Sequence, residues 1–449
     1  MLVESLRQTV QQLGLTIKNK DQLKSLGKIS NDSRKIAKND VYIAIVGERL
    51  DGHQFVDDKL TAHAALVICE HDLNLDIPYI ICENSIQFIQ TWSANYRKIH
   101  PATLIGLTGT NGKTSTKELL AHVISAKYKS YSTPGNYNNH IGLPLSLLNM
   151  PEDTELAVFE IGTNHPGEIP FLTRLLDPDL ALITNIGFGH MQNFASFDDL
   201  IKEKTDIFRE ARPDITLFIN VNDKSISSYQ SQQKQVRFGV DTKADVEIKS
   251  GVFRDLKQHG SIDGMEFEIP LLGKHHLQNV AAAFAIGRYL KINDSHIAQQ
   301  IATVKAVPGR MQLMQVNQYQ IIHDAYNANP VSMRSALEAL DQIQSDLQKV
   351  AILGDMLELG DESRLKHQEI IDYAESLAID HIITFGNEMK SIKTKRSRHF
   401  ETIDEIVNWI VSTFKNALIL LKGSRGMALE RVIEGLRQID LRRGAFHAS

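Results

Sequence analysis

Cysteine is nearly absent, with only Cys69 and Cys82 in 449 residues, each inside a short apolar run (LVIC and YIIC). This excludes a disulfide framework and leads to the expectation of buried, reduced thiols in a cytoplasmic protein. There is no basic excess: 49 Lys and Arg face 54 Asp and Glu, a net charge of −5, so no nucleic acid partner is expected. No run approaches the roughly 18 apolar residues of a membrane span. The amino-terminal segment MLVESLRQTVQQLGL is amphipathic and lacks a cleavable apolar core, so neither a membrane span nor export is expected. Internal repeats and low-complexity tracts are missing as well. What is present is an ordinary globular composition, 42% apolar and 23% charged, over a length that suggests about three domains.

The chain reads as α/β throughout. Residues 1–100 form a small α/β unit with strand candidates at Val41–Val46, Ala65–Cys69 and Tyr79–Cys82. From 101 to 308 the runs TLIGLTG, LAVFEIG, LALITNIG and TLFINV alternate with helical stretches, the pattern of a parallel sheet covered on both faces. Within this unit, residues 244–270 change period: Val246, Ile248 and Val252, then Met265, Phe267 and Ile269, alternate with polar residues and predict an antiparallel excursion at the edge. Pro308-Gly309, within Val307-Pro308-Gly309-Arg310, reads as a linker. The third α/β unit, 309–449, carries strands near Tyr319–His323, Val350–Leu353, His381–Phe385 and Ala417–Leu421, and RRGAFHAS is expected to be a frayed tail.

Between the strand TLIGL and a helix expected over Ser115–Ile124 lies Gly106-Leu107-Thr108-Gly109-Thr110-Asn111-Gly112-Lys113-Thr114. Glycines let successive N–H groups turn to one centre, the helix start favours an anion, Lys113 can neutralise phosphate and the Thr114 hydroxyl can bind Mg²⁺. The spacing is shorter than G-x4-GK[ST], since only two residues separate Gly109 from Gly112-Lys113. A plain glycine turn capped by threonine is the blander reading, and the order of strand, loop and helix with Lys-Thr favours a phosphate loop.

Glu160 ends the run LAVFE and His190 follows LALITNIG, which puts both at the carboxyl edge of the sheet, where α/β proteins bind ligands. A carboxylate suits a hard cation, a histidine less so, and either alone also reads as a surface residue. In the helix expected over Phe197–Phe208, Lys204 falls in the middle of the stripe Phe197, Leu200, Ile201, Phe208, while Lys202 points away. An inward lysine is either a snorkelling stem or ion pair, or a lysine held at a ligand site with a depressed pKa.

The stretch TGTNGKTSTKE, with its shorter GxxGK spacing, resembles the ATP loop of the Mur ligase family. Asn31-Asp32-Ser33-Arg34 and Gly47-Glu48-Arg49-Leu50-Asp51-Gly52-His53 are similar to its amino-terminal UDP-sugar-binding segments, and Gly135-Asn136-Tyr137-Asn138-Asn139 to its muropeptide-contacting loop. Gly273-Lys274-His275-His276-Leu277-Gln278-Asn279 resembles the stretch lining the adenine. Ala325-Tyr326-Asn327-Ala328-Asn329-Pro330, the segment Ile352 to Gly360 and Lys422-Gly423-Ser424-Arg425-Gly426-Met427 resemble the dipeptide-adding members. Where the family often has paired aspartates this chain has His323-Asp324, which leaves Asp324 alone in the carboxylate role. Asn329-Pro330 also reads as an N-cap followed by the first residue of a helix, and both readings stand.

The resemblance implies three domains: an amino-terminal UDP-binding unit, a central phosphate-loop ATPase with a parallel sheet, and a carboxy-terminal Rossmann-like unit that binds a dipeptide. It implies an ATP-dependent amide ligase that joins D-alanyl-D-alanine to UDP-N-acetylmuramoyl-tripeptide through an acyl phosphate, working as a monomer. ATP would contact Gly109, Thr110, Asn111, Gly112, Lys113, Thr114, Ser115, Asn279, Arg310 and Asp324. Two Mg²⁺ ions would involve Thr114, Glu160, His190 and a carbamylated Lys204, with Lys113, Lys204 and His190 as the catalytic set. The UDP-muropeptide would contact Ser33, Arg34, Gly47, Asp51, Gly52, His53, Asn136, Asn138 and Asn139, and the dipeptide Tyr326, Asn327 and Asn329. Competing expectations are a third-residue-adding or folylpolyglutamate-type ligase, which Tyr326–Pro330 argues against, and an ATP-switched binding protein. The identity of the third peptide residue is not legible.

Overall fold

The computed structural model describes residues 1–446 other than 24 and 190, with side chains through 439. Its strands assemble into three separate sheets in chain order. The first has the edge-to-edge order Ile17–Lys18, Tyr79–Ile81, Leu66–Cys69, Val41–Ile43, Ile29–Ser30, parallel except at Ile17–Lys18. Cys69 and Cys82 are buried free thiols in this unit. Burial pushes them up to about 11 and about 12, so they stay protonated at neutral pH.

The second sheet has nine strands. Seven of them, Ser130–Ser132, Leu156–Glu160, Thr103–Thr108, Leu180–Ile183, Thr216–Asn220, Lys234–Val240 and Val246–Arg254, lie parallel in that spatial order. Lys257–Ile262 and Met265–Ile269 then continue antiparallel, which is the expected edge excursion. Its alternation is broken in one place. A register shift between Ser250 and Phe253 turns Val252 outward, 64% exposed, although its spacing matches the buried Val246 and Ile248. The third sheet runs Gln312–Val316, Tyr319–Asp324, Leu418–Lys422, Lys349–Gly354, His381–Phe385, Arg398–Phe400, parallel after its antiparallel first pair.

Both larger sheets are buried on two faces, so their strands are continuous apolar runs rather than alternating ones; all of LAVFE and LILLK is buried. One core unites the amino-terminal unit with one face of the central sheet: Trp92 and Tyr96 of helix Ser85–Ile99 pack with Leu104, Phe159 and Ile183. The other face is covered by helices Lys113–Ser125 and His276–Tyr289, the latter with eleven buried residues. Two further cores flank the third sheet. Strand Thr103–Thr108 lies inside the central sheet with a neighbour on each side, and the chain leaves its carboxyl end directly into helix Lys113–Ser125. This is the topological position at which α/β sheets open a ligand crevice. No helix among the described residues is long and apolar enough to cross a membrane.

Candidate active site

The loop after strand Thr103–Thr108 has a conformation that only glycine permits at two places. Gly109 has φ 151°, and a Cβ there would lie 1.9 Å from Thr184 Oγ1; Gly112, the N-cap of the following helix, has φ 78°. The next strand's end then braces the loop. Asn111 N–H donates to Asn185 Oδ1 at 3.0 Å, and Asn111 O accepts from Thr184 Oγ1 at 2.7 Å and Asn185 Nδ2 at 2.9 Å. Thr110 N–H donates to Asn185 O at 2.8 Å. Lys113 folds its ammonium back onto Gly109 O at 2.8 Å and Thr110 O at 3.3 Å. Desolvation lowers its pKa, Glu160 and Glu358 oppose that, and Arg310 adds to it. A preformed loop with a cation curled over it is an anion cradle.

Glu160 occupies its expected strand-end position and is buried. Its Oε2 accepts from Thr114 Oγ1 at 2.9 Å and its Oε1 from Asn138 Nδ2 at 2.8 Å, which brings the loop of Asn136, Asn138 and Asn139 to the nucleotide side. Arg310, just beyond the linker, donates to Thr114 Oγ1 at 2.9 Å and lies with its guanidinium 4.2 Å from the Tyr326 ring centroid. His190 lies outside the described residues. Among the described residues no group of three or more His, Cys, Asp or Glu could hold a metal, so Glu160 is the one described carboxylate among the expected metal ligands.

Lys204 is 1% exposed on helix Phe197–Arg209, which Ser196 caps through Asp199 N–H, while Lys202 is exposed. Its Nζ donates to Gly109 O at 3.3 Å, so the inward stripe aims it at the phosphate loop. Burial, assisted by the charge of Lys113 and opposed by Glu203, pushes its ammonium down to about 7. Lys204 therefore does not snorkel to solvent; it is buried against the loop after strand Thr103–Thr108.

The third sheet contributes the opposite wall. Asn329 caps helix Pro330–Gln342 in a capping box with Ser332, and the same carboxamide reaches Asn111 across the cleft, Nδ2 donating to Asn111 Oδ1 at 2.7 Å. Capping and facing the cleft therefore coexist. Asp324 accepts from Met311 N–H at 3.1 Å and pairs with the buried Lys422 at 2.9 Å; Lys422 also donates to Asn327 O at 2.6 Å. Asp324 is thus held inside its own unit while it lines the cleft. His323, in place of a second aspartate, is kept neutral by burial, and its Nε2 has no described partner. One cavity of about 790 Å³ collects Thr110, Asn111, Gly112, Lys113 and Ser115 with Glu160, Asn279, Arg310, Asp324, Tyr326, Asn327 and Asn329. His275 and His276 line it next to Asn279, both kept neutral by burial.

The amino-terminal candidates stand apart from this cavity. Asp51 caps the short turn Gly52–Phe55 and pairs with His53 Nδ1 at 2.6 Å, and His53 is buried with its Nε2 accepting from Glu70 N–H. Gly52 leaves no room for a Cβ, which would meet Ile45 N at 2.7 Å, and its carbonyl accepts from Tyr42. Arg34 is exposed and pairs with Asp32 at 2.8 Å, beside Ser33; Gly47 is exposed nearby in sequence. Sequence reasoning missed Thr184 and Asn185, and named Lys422 only within a resembling segment, without a role. The first two sit one strand over from the loop they brace, and their only trace in sequence was a polar pair ending LALI; Lys422, directly after the apolar run LILL, was the stronger signal.

Comparison with known proteins gives this geometry a family. The Mur ligase family catalytic domain matches residues 26–102, the Mur ligase middle domain 107–287 and the Mur ligase glutamate ligase domain 309–425. The UDP-N-acetylmuramoyl-tripeptide--D-alanyl-D-alanine ligase of Bacillus subtilis (strain 168) is 34% identical, over 92% of this chain and 93% of its own. The enzyme of the same name from Escherichia coli (strain K12) is 30% identical over 92% and 94%. A crystal structure of MurF from Acinetobacter baumannii superposes with a TM-score of 0.86 at 27% identity, covering 97% and 98% of the two chains. MurF ligase from Thermotoga maritima in complex with ADP gives 0.82 at 26%, covering 93% and 98%. With its three domains matched in order and relatives aligned over nearly its full length, the chain belongs to the Mur ligase family.

Proposed function

We propose that the protein is an ATP-dependent ligase that joins D-alanyl-D-alanine to the terminal carboxylate of UDP-N-acetylmuramoyl-tripeptide in peptidoglycan precursor synthesis, releasing ADP and phosphate. The observation that carries this is one cavity in which a phosphate loop, the Asn136–Asn139 loop and the Tyr326–Asn329 segment meet. Each substrate of a three-substrate condensation then has its own wall. Amide formation from a carboxylate is uphill in water, so ATP first phosphorylates the tripeptide carboxylate and the dipeptide amine displaces phosphate from the acyl phosphate. Lys113 and the loop amides hold the phosphates, and Arg310 offsets charge that develops between them and the acyl group. Asn138 and Asn136 orient the muropeptide end. Tyr326, Asn327 and Asn329 bound the dipeptide, with Lys422 fixing Asn327 through its carbonyl. Water is excluded by closure of the third domain over the central one, for which the Asn111–Asn329 pair is a ready contact.

The residues present also fit Mg²⁺. Thr114 Oγ1 and Glu160 Oε2 are hard oxygen donors 2.9 Å apart beside the phosphate loop, and Mg²⁺ usually takes one or two protein oxygens plus phosphates and waters. Thr114 and Glu160 would hold one ion; Glu160, His190 and a carbamylated Lys204 would hold a second. Bound there, the metal would neutralise phosphate charge. Thr114→Ala and Glu160→Ala should each raise the Mg²⁺ concentration needed both for half-maximal turnover and for ADP binding by calorimetry, on the order of tenfold. Unchanged Mg²⁺ dependence in both would move the metal site elsewhere.

The reaction is placed in the cytoplasm, the compartment of ATP and UDP-linked sugars, and one copy of the chain supplies every group named. The test is phosphate release with UDP-muramoyl tripeptides and ATP, offering D-alanyl-D-alanine or single amino acids. Release that needs the dipeptide supports the reading; release without any amine, or only with single amino acids, overturns it. Alanine at Tyr326 or Asn327 should raise KM for D-alanyl-D-alanine more than KM for ATP, by about tenfold against about twofold. An equal loss of thermal stability with both KM values unchanged would mark these residues as structural.

A further inference from the structure

Helix Lys113–Ser125 carries a second inward lysine that the reaction described above does not use. Lys117 lies one turn beyond Lys113 on the same helix and has no solvent exposure. Two like charges at this spacing repel, and burying an ammonium is costly unless it is fully hydrogen-bonded. Lys117 is so bonded: Nζ donates to Thr133 O at 2.5 Å and Gly135 O at 3.1 Å, and the Glu118 carboxylate is 3.0 Å away. Both carbonyls belong to the start of the segment that continues into Asn136 and Asn138.

From there the contacts close a ring. Thr133 Oγ1 accepts from Glu160 N–H at 3.1 Å, Asn138 Nδ2 donates to Glu160 Oε1, and Glu160 Oε2 accepts from Thr114, three residues before Lys117 on the same helix. Among the described residues the ammonium is the direct hydrogen-bonded link from this helix to the loop; the loop's other ties run through the sheet, by Thr133 N–H to Val158 O at 3.0 Å, Gly162 N–H to Asn138 O at 2.8 Å, and Glu160, which is also the carboxylate proposed for metal. Gly135 has φ 52° and nothing within 4 Å of a Cβ, so the loop is not held there by packing.

We infer that Lys117 is a positioning residue: its ammonium clamps the Thr133–Asn139 loop to the phosphate-loop helix, so that the nucleotide site and the muropeptide-contacting loop are set as one unit. The inference rests on the proposed ligase reading for the identity of the loop's ligand. It does not place Lys117 in contact with any substrate.

The test uses Lys117→Met, which keeps the length and apolar stem and removes the charge and all three donors. The expected result is a KM for UDP-muramoyl tripeptide raised about tenfold, with KM for ATP and kcat at saturation within about threefold of the parent, the split expected when a ground-state contact is loosened. A Lys117→Met enzyme with unchanged KM for the tripeptide and only a lower melting temperature would overturn the inference and leave a structural ion pair. A parent enzyme that does not use the tripeptide and dipeptide would instead refute the ligase reading. Hydrogen exchange on the parent chain gives an answer even if the variant does not fold. A non-hydrolysable ATP analogue with Mg²⁺, and no muropeptide, should slow exchange at the amides of Thr133 and residues 135–139 severalfold relative to the free chain, and no change there would equally overturn the coupling.

Discussion

Lys113→Ala is expected to abolish phosphate release while leaving the melting temperature unchanged. The side chain fills no core. It is half-buried at the first position of its helix, and its ammonium folds back onto two carbonyls of its own loop. Alanine is the better helix former, and the loop itself is held by Thr184 and Asn185, which the substitution does not touch. What disappears is the cation that meets charge gathering on the transferred phosphate, and loss of one such group costs on the order of a thousandfold in kcat. Steady-state phosphate release with a parallel melt checks both halves. Ordinary turnover with ordinary ATP affinity would mean that the glycine loop is a structural turn.

Much of this site was legible because local rules and the fold agree. The strand, the loop and the helix follow one another in sequence, so the phosphate cradle could be read from residues 103–125 alone. Lys204 was readable from helical periodicity, since a charged residue in the centre of an apolar stripe has few places to go. Asn329 could be read twice, as a cap and as a cleft residue, and its one carboxamide does both. Thr184 and Asn185 were not readable, because their role depends on strand Leu180–Ile183 pairing beside Thr103–Thr108, a non-local fact. Val252 failed for a related reason: one register shift reverses which face a residue presents, and periodicity carries no sign of it. Asp51 and His53 matched a motif, and in the fold Asp51 Oδ1 caps the turn at His53 N–H and pairs with His53 Nδ1, a local arrangement that the two-residue spacing alone allows.

Lys204→Ala should cost on the order of a hundredfold or more in kcat, while Lys202→Ala, on the exposed face of the same helix, should be nearly silent. The reason is the carbamate proposed for Lys204. Carbamylation needs a neutral amine and CO₂, and burial has already pushed this ammonium down to about 7, so a large share of the chains carries free amine near neutrality. The ammonium gives up one proton to become the neutral amine and forming the N–C bond to CO₂ releases a second, so a poorly solvated cation, beside the charge of Lys113, becomes an anion. If the lost group acts as a carboxylate, short-chain carboxylic acids should restore part of the Lys204→Ala activity, and they should do nothing for Lys113→Ala. The unmodified amine leaves its own mark on stability. The folded chain binds this proton less tightly than the unfolded chain, so in CO₂-free buffer this group makes stability rise with pH between about 7 and 10.5, with no contribution to the slope below both values. Lys204→Met should flatten that part of the melting profile. Electron density for an unmodified Lys204 turned to solvent in crystals grown with nucleotide and Mg²⁺, or equal damage from the substitutions at 202 and 204, would remove the carbamate from the mechanism.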